Sequence, residues 1–91
     1  MAYSTIYDTI KSMSKALKLL EQMRNNPRDW RIEQIDTVAK HFGFGRIEAK
    51  GSHTKFYHAK LSEILTVPVK RPVKPVYIKH LIALIDKLEE L

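Results

Sequence analysis

Apolar side chains at Tyr3, Ile6, Ile10, Met13, Leu17 and Leu20 recur at steps of three and four, which is one face of a helix. Lys11, Lys15 and Lys18 fall off that face, and Ser4 or Thr5 can cap its start. Asn25-Asn26-Pro27 predicts its end, because the residue before a proline avoids helical angles. A second helical pattern runs from Ile32 to His41, with Ile35, Val38, Ala39 and Phe42 on one side. Gly43 suits a left-handed cap after it, and Trp30 suits a hydrophobic anchor before it. The pattern then switches to alternation. Phe44 to Ala49 reads as a short strand interrupted by Gly45, and Lys50-Gly51-Ser52 as a turn. From His53 to His58, Thr54, Phe56 and His58 point one way, and His53, Lys55 and Tyr57 the other. Ala59 to Ser62 reads as a turn, and Ile64 to Val69 as a third strand with Pro68 at its edge or end. Lys70-Arg71-Pro72-Val73-Lys74-Pro75 reads as an extended basic linker. Pro75 fits the first turn of a last helix. The stripe of that helix is Ile78, Leu81, Ile82, Ile85 and Leu88, leaving Lys79, His80, Ala83, Asp86 and Lys87 outside.

These elements predict an α+β fold. Residues 1–26 form an amphipathic helical extension. Residues 27–91 form an α-β-β-β-α domain whose three-stranded antiparallel sheet is covered on one face by two helices. If Phe56 faces those helices, alternation puts His53, Lys55 and Tyr57 together on the open face. The N-terminal stripe must also be covered. It can pack on its own domain, on a second copy in a homodimer, or on a partner protein.

Composition narrows the possibilities. The chain has 91 residues, ordinary for one small domain, and no cysteine, which removes disulfides and thiolate metal sites and fits a reducing compartment such as the cytoplasm. No apolar run approaches the ~20 residues of a membrane span, and no compact apolar leader is evident. The net charge of +6 is unevenly placed. Residues 46–80 carry 8 basic and 2 acidic side chains, and residues 81–91 carry 1 basic and 3 acidic. Such a basic segment attracts polyanions, of which nucleic acid is the most abundant in a cell.

The chemistry converges near Gly51-Ser52-His53. An imidazole titrates near neutral pH and can give or take a proton. Lys55 can stabilise developing negative charge, Tyr57 can stack on a base, Gly51 permits close backbone approach, and Ser52 can contact phosphate. Lys55, Lys70, Arg71 and Lys74 are candidate phosphate-backbone contacts, with Lys50 at their rim. Only Glu48 and Glu63 are acidic in the basic segment, so the carboxylate cluster of a metal-dependent nuclease is not expected, nor is any other cofactor. A lone histidine in a turn is more often structural. The residues therefore leave open a ribonuclease, a non-catalytic RNA-binding module and a protein-interaction adaptor.

Gly51-Ser52-His53, Phe56, His58 and the Thr66-Val67-Pro68 strand end, in this order of elements, resemble the HicA family of bacterial toxins. Asn26 to Ile32 and Arg71 to Ile78 resemble a longer branch of that family. The chain departs from many members at Ala59, where a proline is common, and at Val69-Lys70-Arg71, where a histidine is common. The resemblance implies a fold like a double-stranded RNA-binding domain. It also implies an endoribonuclease that cleaves messenger RNA, with His53 as the essential histidine. Its partner would be a HicB-like antitoxin that occludes the active face.

Overall fold

A computed structural model describes residues 15–49 and 51–91. Among them the order is α1 (described over 15–25), α2 (Ile32–His41), β1 (Gly45–Ala49), β2 (His53–Tyr57), β3 (Leu65–Pro68) and α3 (Pro75–Glu89). The strands form one antiparallel sheet in the order β1-β2-β3. The architecture is thus α+β. Tyr3, Ile6, Ile10, Met13 and the expected caps Ser4 and Thr5 lie outside the described residues, as does Lys50.

Both ends of α2 follow from local chemistry. The Arg31 N–H donates to Gln34 Oε1 at 2.9 Å, and the Gln34 N–H returns to the Arg31 carbonyl at 3.0 Å. At the other end Gly43 has φ +87°. Its N–H reaches the Lys40 carbonyl, and the Phe44 N–H reaches Ala39, the paired bonds of a Schellman cap.

Thr54 and Phe56 are buried on β2, while His53, Lys55 and Tyr57 are exposed. Leu65 and Val67 continue the buried face on β3. Against this face pack Ile35, Val38 and Ala39 of α2 and Ile78, Leu81, Leu84 and Ile85 of α3. Leu84 was missed by the sequence stripe, and Ile82 and Leu88 are only half-buried. The Val76–Ile85 stretch is apolar almost all round, so its pattern underdetermines which residues face inward.

Two further expectations are corrected. The buried face of α1 is Ala16, Leu20 and Met23, while Leu17 is 47% exposed. Leu20 and Met23 join the same buried cluster as α2, α3 and the sheet. Arg24 also makes a two-pronged ion pair with Asp86 of α3, at 2.5 and 3.1 Å. The described part of α1 is therefore seated on its own chain. Second, residues 70–75 are not a free linker. Val73 is buried, its N–H donates to the Trp30 carbonyl at 2.7 Å, and the two residues form an antiparallel bridge. Trp30 is anchored in turn by its indole N–H donating to the Asn26 carbonyl at 2.6 Å.

Strand β1 is inverted relative to its hydropathy. Arg46 pairs with Phe56 and Glu48 with Thr54, so both charges lie on the helix-covered side, and Ile47 is 53% exposed. These charges pair at the margin of that face: the Glu48 side chain stays 66% exposed, and the buried Asp36 Oδ1 has no hydrogen-bond partner among the described residues. Arg46 contacts Asp36 at 3.4 Å and Glu48 at 2.7 Å and stands 6.0 Å from the Phe56 ring centre. Glu48 also accepts a 3.2 Å bond from the Thr54 hydroxyl. No helix among the described residues is long and apolar enough to cross a membrane.

Candidate active site

His53 opens β2 just after the β1–β2 turn. Gly51 in that turn has φ +78°, a region that side chains with a Cβ disfavour, and this bend delivers Ser52 and His53 to one end of the central strand. His53 lies between Ala49 of β1 and Pro68 of β3 in one cross-strand row. The turn is tied to the chain leaving β3, because the Val69 N–H donates to the Ser52 carbonyl at 2.5 Å. From there Val73 is held to Trp30, so residues 70–74 are stretched between two anchors beside the histidine.

The outcome is a cleft of about 380 Å³ with Ser52 and His53 on one wall and Lys70, Arg71 and Lys74 around it. Tyr77, from the first turn of α3, completes it. Arg71 is also tethered to Glu33 at 3.1 Å, both side chains being well exposed. The Glu33 carboxyl is held below its ordinary value, first by its own backbone N–H and, against some desolvation, by the Arg71 charge.

Five of the expected site residues therefore meet at the cleft: Ser52, His53, Lys70, Arg71 and Lys74. Lys55 and Tyr57 share the open sheet face with His53 but do not line the cleft. A strand rises roughly 3.3 Å per residue, which puts Tyr57 about 13 Å along from His53. There the tyrosine ring covers Gly45 so closely that a Cβ on that glycine would collide with Cζ. Gly51 shapes the turn without lining the cleft. Lys50 lies outside the described residues. Tyr77 escaped the sequence reading. The available signal was its place two residues after Pro75, in the first helical turn beyond the basic segment.

The other histidines are engaged elsewhere. His58 Nε2 lies 3.0 Å from the Phe42 carbonyl, while its Nδ1 accepts the Lys60 N–H at 3.0 Å. These two bonds suit the tautomer with the proton on Nε2, and the ring stands edge-on to Phe44. With both nitrogens committed, His58 is a structural group. His80 faces Glu63 at 3.5 Å, and His41 packs against Phe42. Among the described residues no group of three or more His, Asp or Glu is placed to hold a metal ion.

An exposed imidazole in a cleft shared with three exposed cations, of which Arg71 is paired with Glu33, suits proton transfer at a phosphodiester whose added negative charge those cations stabilise. No protein-family model, curated protein or solved structure matches the chain.

Proposed function

We propose that the chain is an endoribonuclease of the HicA type, acting on messenger RNA as the toxin of a toxin–antitoxin pair in the cytoplasm. The observation that carries this reading is His53, exposed on the wall of a cleft surrounded by Lys70, Arg71 and Lys74. The α-β-β-β-α order after α1 is compatible with a fold like a double-stranded RNA-binding domain. His53 acts as general acid or base at the scissile phosphodiester. The cations bind the phosphate and stabilise the charge that builds on its oxygens as the bond to the attacking oxygen forms and the bond to the leaving ribose oxygen breaks, that oxygen taking up a proton. Ser52 hydrogen-bonds a phosphate oxygen. A HicB-like antitoxin inhibits by covering this cleft, offering carboxylates to the same cations.

The test is His53→Ala against wild type, each assayed for messenger RNA cleavage in chelator and for growth arrest on induction. The side chain is exposed, so the substitution changes stability by no more than about 0.5 kcal/mol, as expected at a surface position. Cleavage falls by about 10²–10⁴. A His53→Ala protein that still cuts at the wild-type rate refutes the assignment.

One observation favours a second reading, a non-catalytic RNA-binding module. Among the described residues no side chain orients the His53 ring by a hydrogen bond. In that case wild type binds RNA without shortening it.

A further inference from the structure

The cleft beside His53 is one of three adjoining hollows. A second, about 400 Å³, lies beside Arg28, Asp29 and Lys74, and a third, about 290 Å³, beside Asp29, Arg31 and Arg71. Pro72 lines all three, and Lys74 and Arg71 are each shared with the first. The shared residues place the three hollows side by side around Pro72, between His53 and the loop before α2. Their lining carries Arg28, Arg31, Lys70, Arg71 and Lys74 with one carboxylate, Asp29, while Glu33 pairs with Arg71 from outside the lining. Among the described residues neither Arg28 nor Arg31 is paired with a carboxylate.

The end of this group before α2 is rigidly built. The Arg28 N–H donates to Asn26 Oδ1 at 3.1 Å, and the Trp30 indole donates to the Asn26 carbonyl. Trp30 then bridges to Val73, inside the basic segment itself. The two ends of the group are thus fixed relative to one another through Trp30 and Val73.

We infer that single-stranded RNA leaves the His53 cleft along these hollows as one groove, and that Arg28 and Arg31 hold the phosphates flanking the one at His53. The inference rests on the ribonuclease reading and extends it to a binding path that the basic 70–74 segment alone does not define. A groove of successive cations suits a chain of evenly spaced phosphates better than a compact anion, which would need only one of the three hollows. Asp29 is the dissonant group. Its carboxylate repels the strand and tunes the affinity down.

The experiment uses the full chain carrying His53→Ala, so that binding is read without cleavage. Labelled single-stranded RNAs of about 4 and about 16 nucleotides are titrated by fluorescence anisotropy across a salt series. Arg28→Gln with Arg31→Gln lowers the log–log salt slope for the long RNA by about 1.4, at about 0.7 per lost phosphate contact, and leaves the short RNA unchanged. Lys70→Gln with Lys74→Gln weakens both lengths. Asp29→Asn tightens the long RNA, and asparagine tolerates the φ of +64° found there, so this variant keeps the fold.

An unchanged slope on long RNA, an equal loss on both lengths, or weaker binding by Asp29→Asn overturns the groove. If wild type still cuts RNA in any of those cases, the path is wrong and the catalytic reading stands. If wild type neither cuts nor binds RNA, both fall. An oligoglutamate peptide that binds in place of RNA, with the same dependence on Arg28 and Arg31, makes the groove a protein-docking surface and overturns the RNA path.

Discussion

Met23→Ala tests whether α1 belongs to the body of the protein. Met23 is fully buried in the common core, whereas Leu17, nearly two turns earlier on the same helix, is 47% exposed. Truncating a buried methionine to alanine costs about 2–5 kcal/mol, from lost transfer energy and the cavity left behind. A domain of this size has about 5–14 kcal/mol in total, so the loss is a large share. At about 4–8 °C per kcal/mol, the melting temperature falls by at least about 8 °C. Leu17→Ala should stay within about 0.5 kcal/mol. Arg24→Gln costs less than about 1 kcal/mol despite its two-pronged contact, because both partners of the pair are more than a third exposed. Urea unfolding of the three variants, with matched slopes, gives the comparison directly. A Met23→Ala protein as stable as wild type, or a Leu17→Ala protein that loses as much as Met23→Ala, would show that the helix is not seated through this face.

Acid should weaken the ion pairs that fasten α3. The Asp86 carboxyl is lowered chiefly by the hydrogen bond from Arg24, and Glu63 by hydrogen bonds from Lys87 and then His80. A native value below the unfolded one gives stability that is present above about pH 4 and lost as pH falls through the lower native value. The melting temperature should therefore drop in that window, less steeply in Asp86→Asn, and a variant as acid-sensitive as wild type would contradict this. Gly45→Ala should expel the Tyr57 ring, whose Cζ would collide with the new Cβ, while the cleft at the other end of the strand keeps its shape. The ring is exposed and free to swing, so the cost is below about 1 kcal/mol against the roughly 1–3 kcal/mol of an overpacked core. Unchanged Tyr57 ring resonances in the NMR spectrum would rule the contact out.

Where local chemistry dictates structure, the sequence is readable. Ile32 and His41 bound α2 as the apolar spacing and Gly43 predict. The alternation of β2 sorts Thr54 and Phe56 from His53, Lys55 and Tyr57 in the way that exposes the histidine. Long-range satisfaction is not readable. Arg46 and Glu48 are exposed charges, and nothing along the chain shows that Asp36 and Thr54 receive them. Val73 looks like a linker residue until Trp30, 43 positions earlier, takes its N–H. The same limit applies to the candidate site. Ser52, His53 and the 70–74 cations can be named from the chain, but Tyr77 joins them only because the anchored segment turns α3 toward the histidine. Leu17 shows the converse error. Three-four spacing fits two neighbouring helix faces, and the core selected Ala16, Leu20 and Met23.

The ion pair between Arg24 and Asp86 joins residues 62 positions apart, and the core that seats α1 is closed by α3. On a ribosome, which releases the chain from its N-terminal side, α1 emerges before α3, and its seat is complete only when α3 arrives. The strands are local neighbours and can pair as they appear, but contacts this distant in sequence form late and slowly. Lys74 and Tyr77 belong to that late part, so the nascent chain carries His53 into the cell before it carries the rest of the cleft. The proposed site is therefore completed only once the start of α3 has been made.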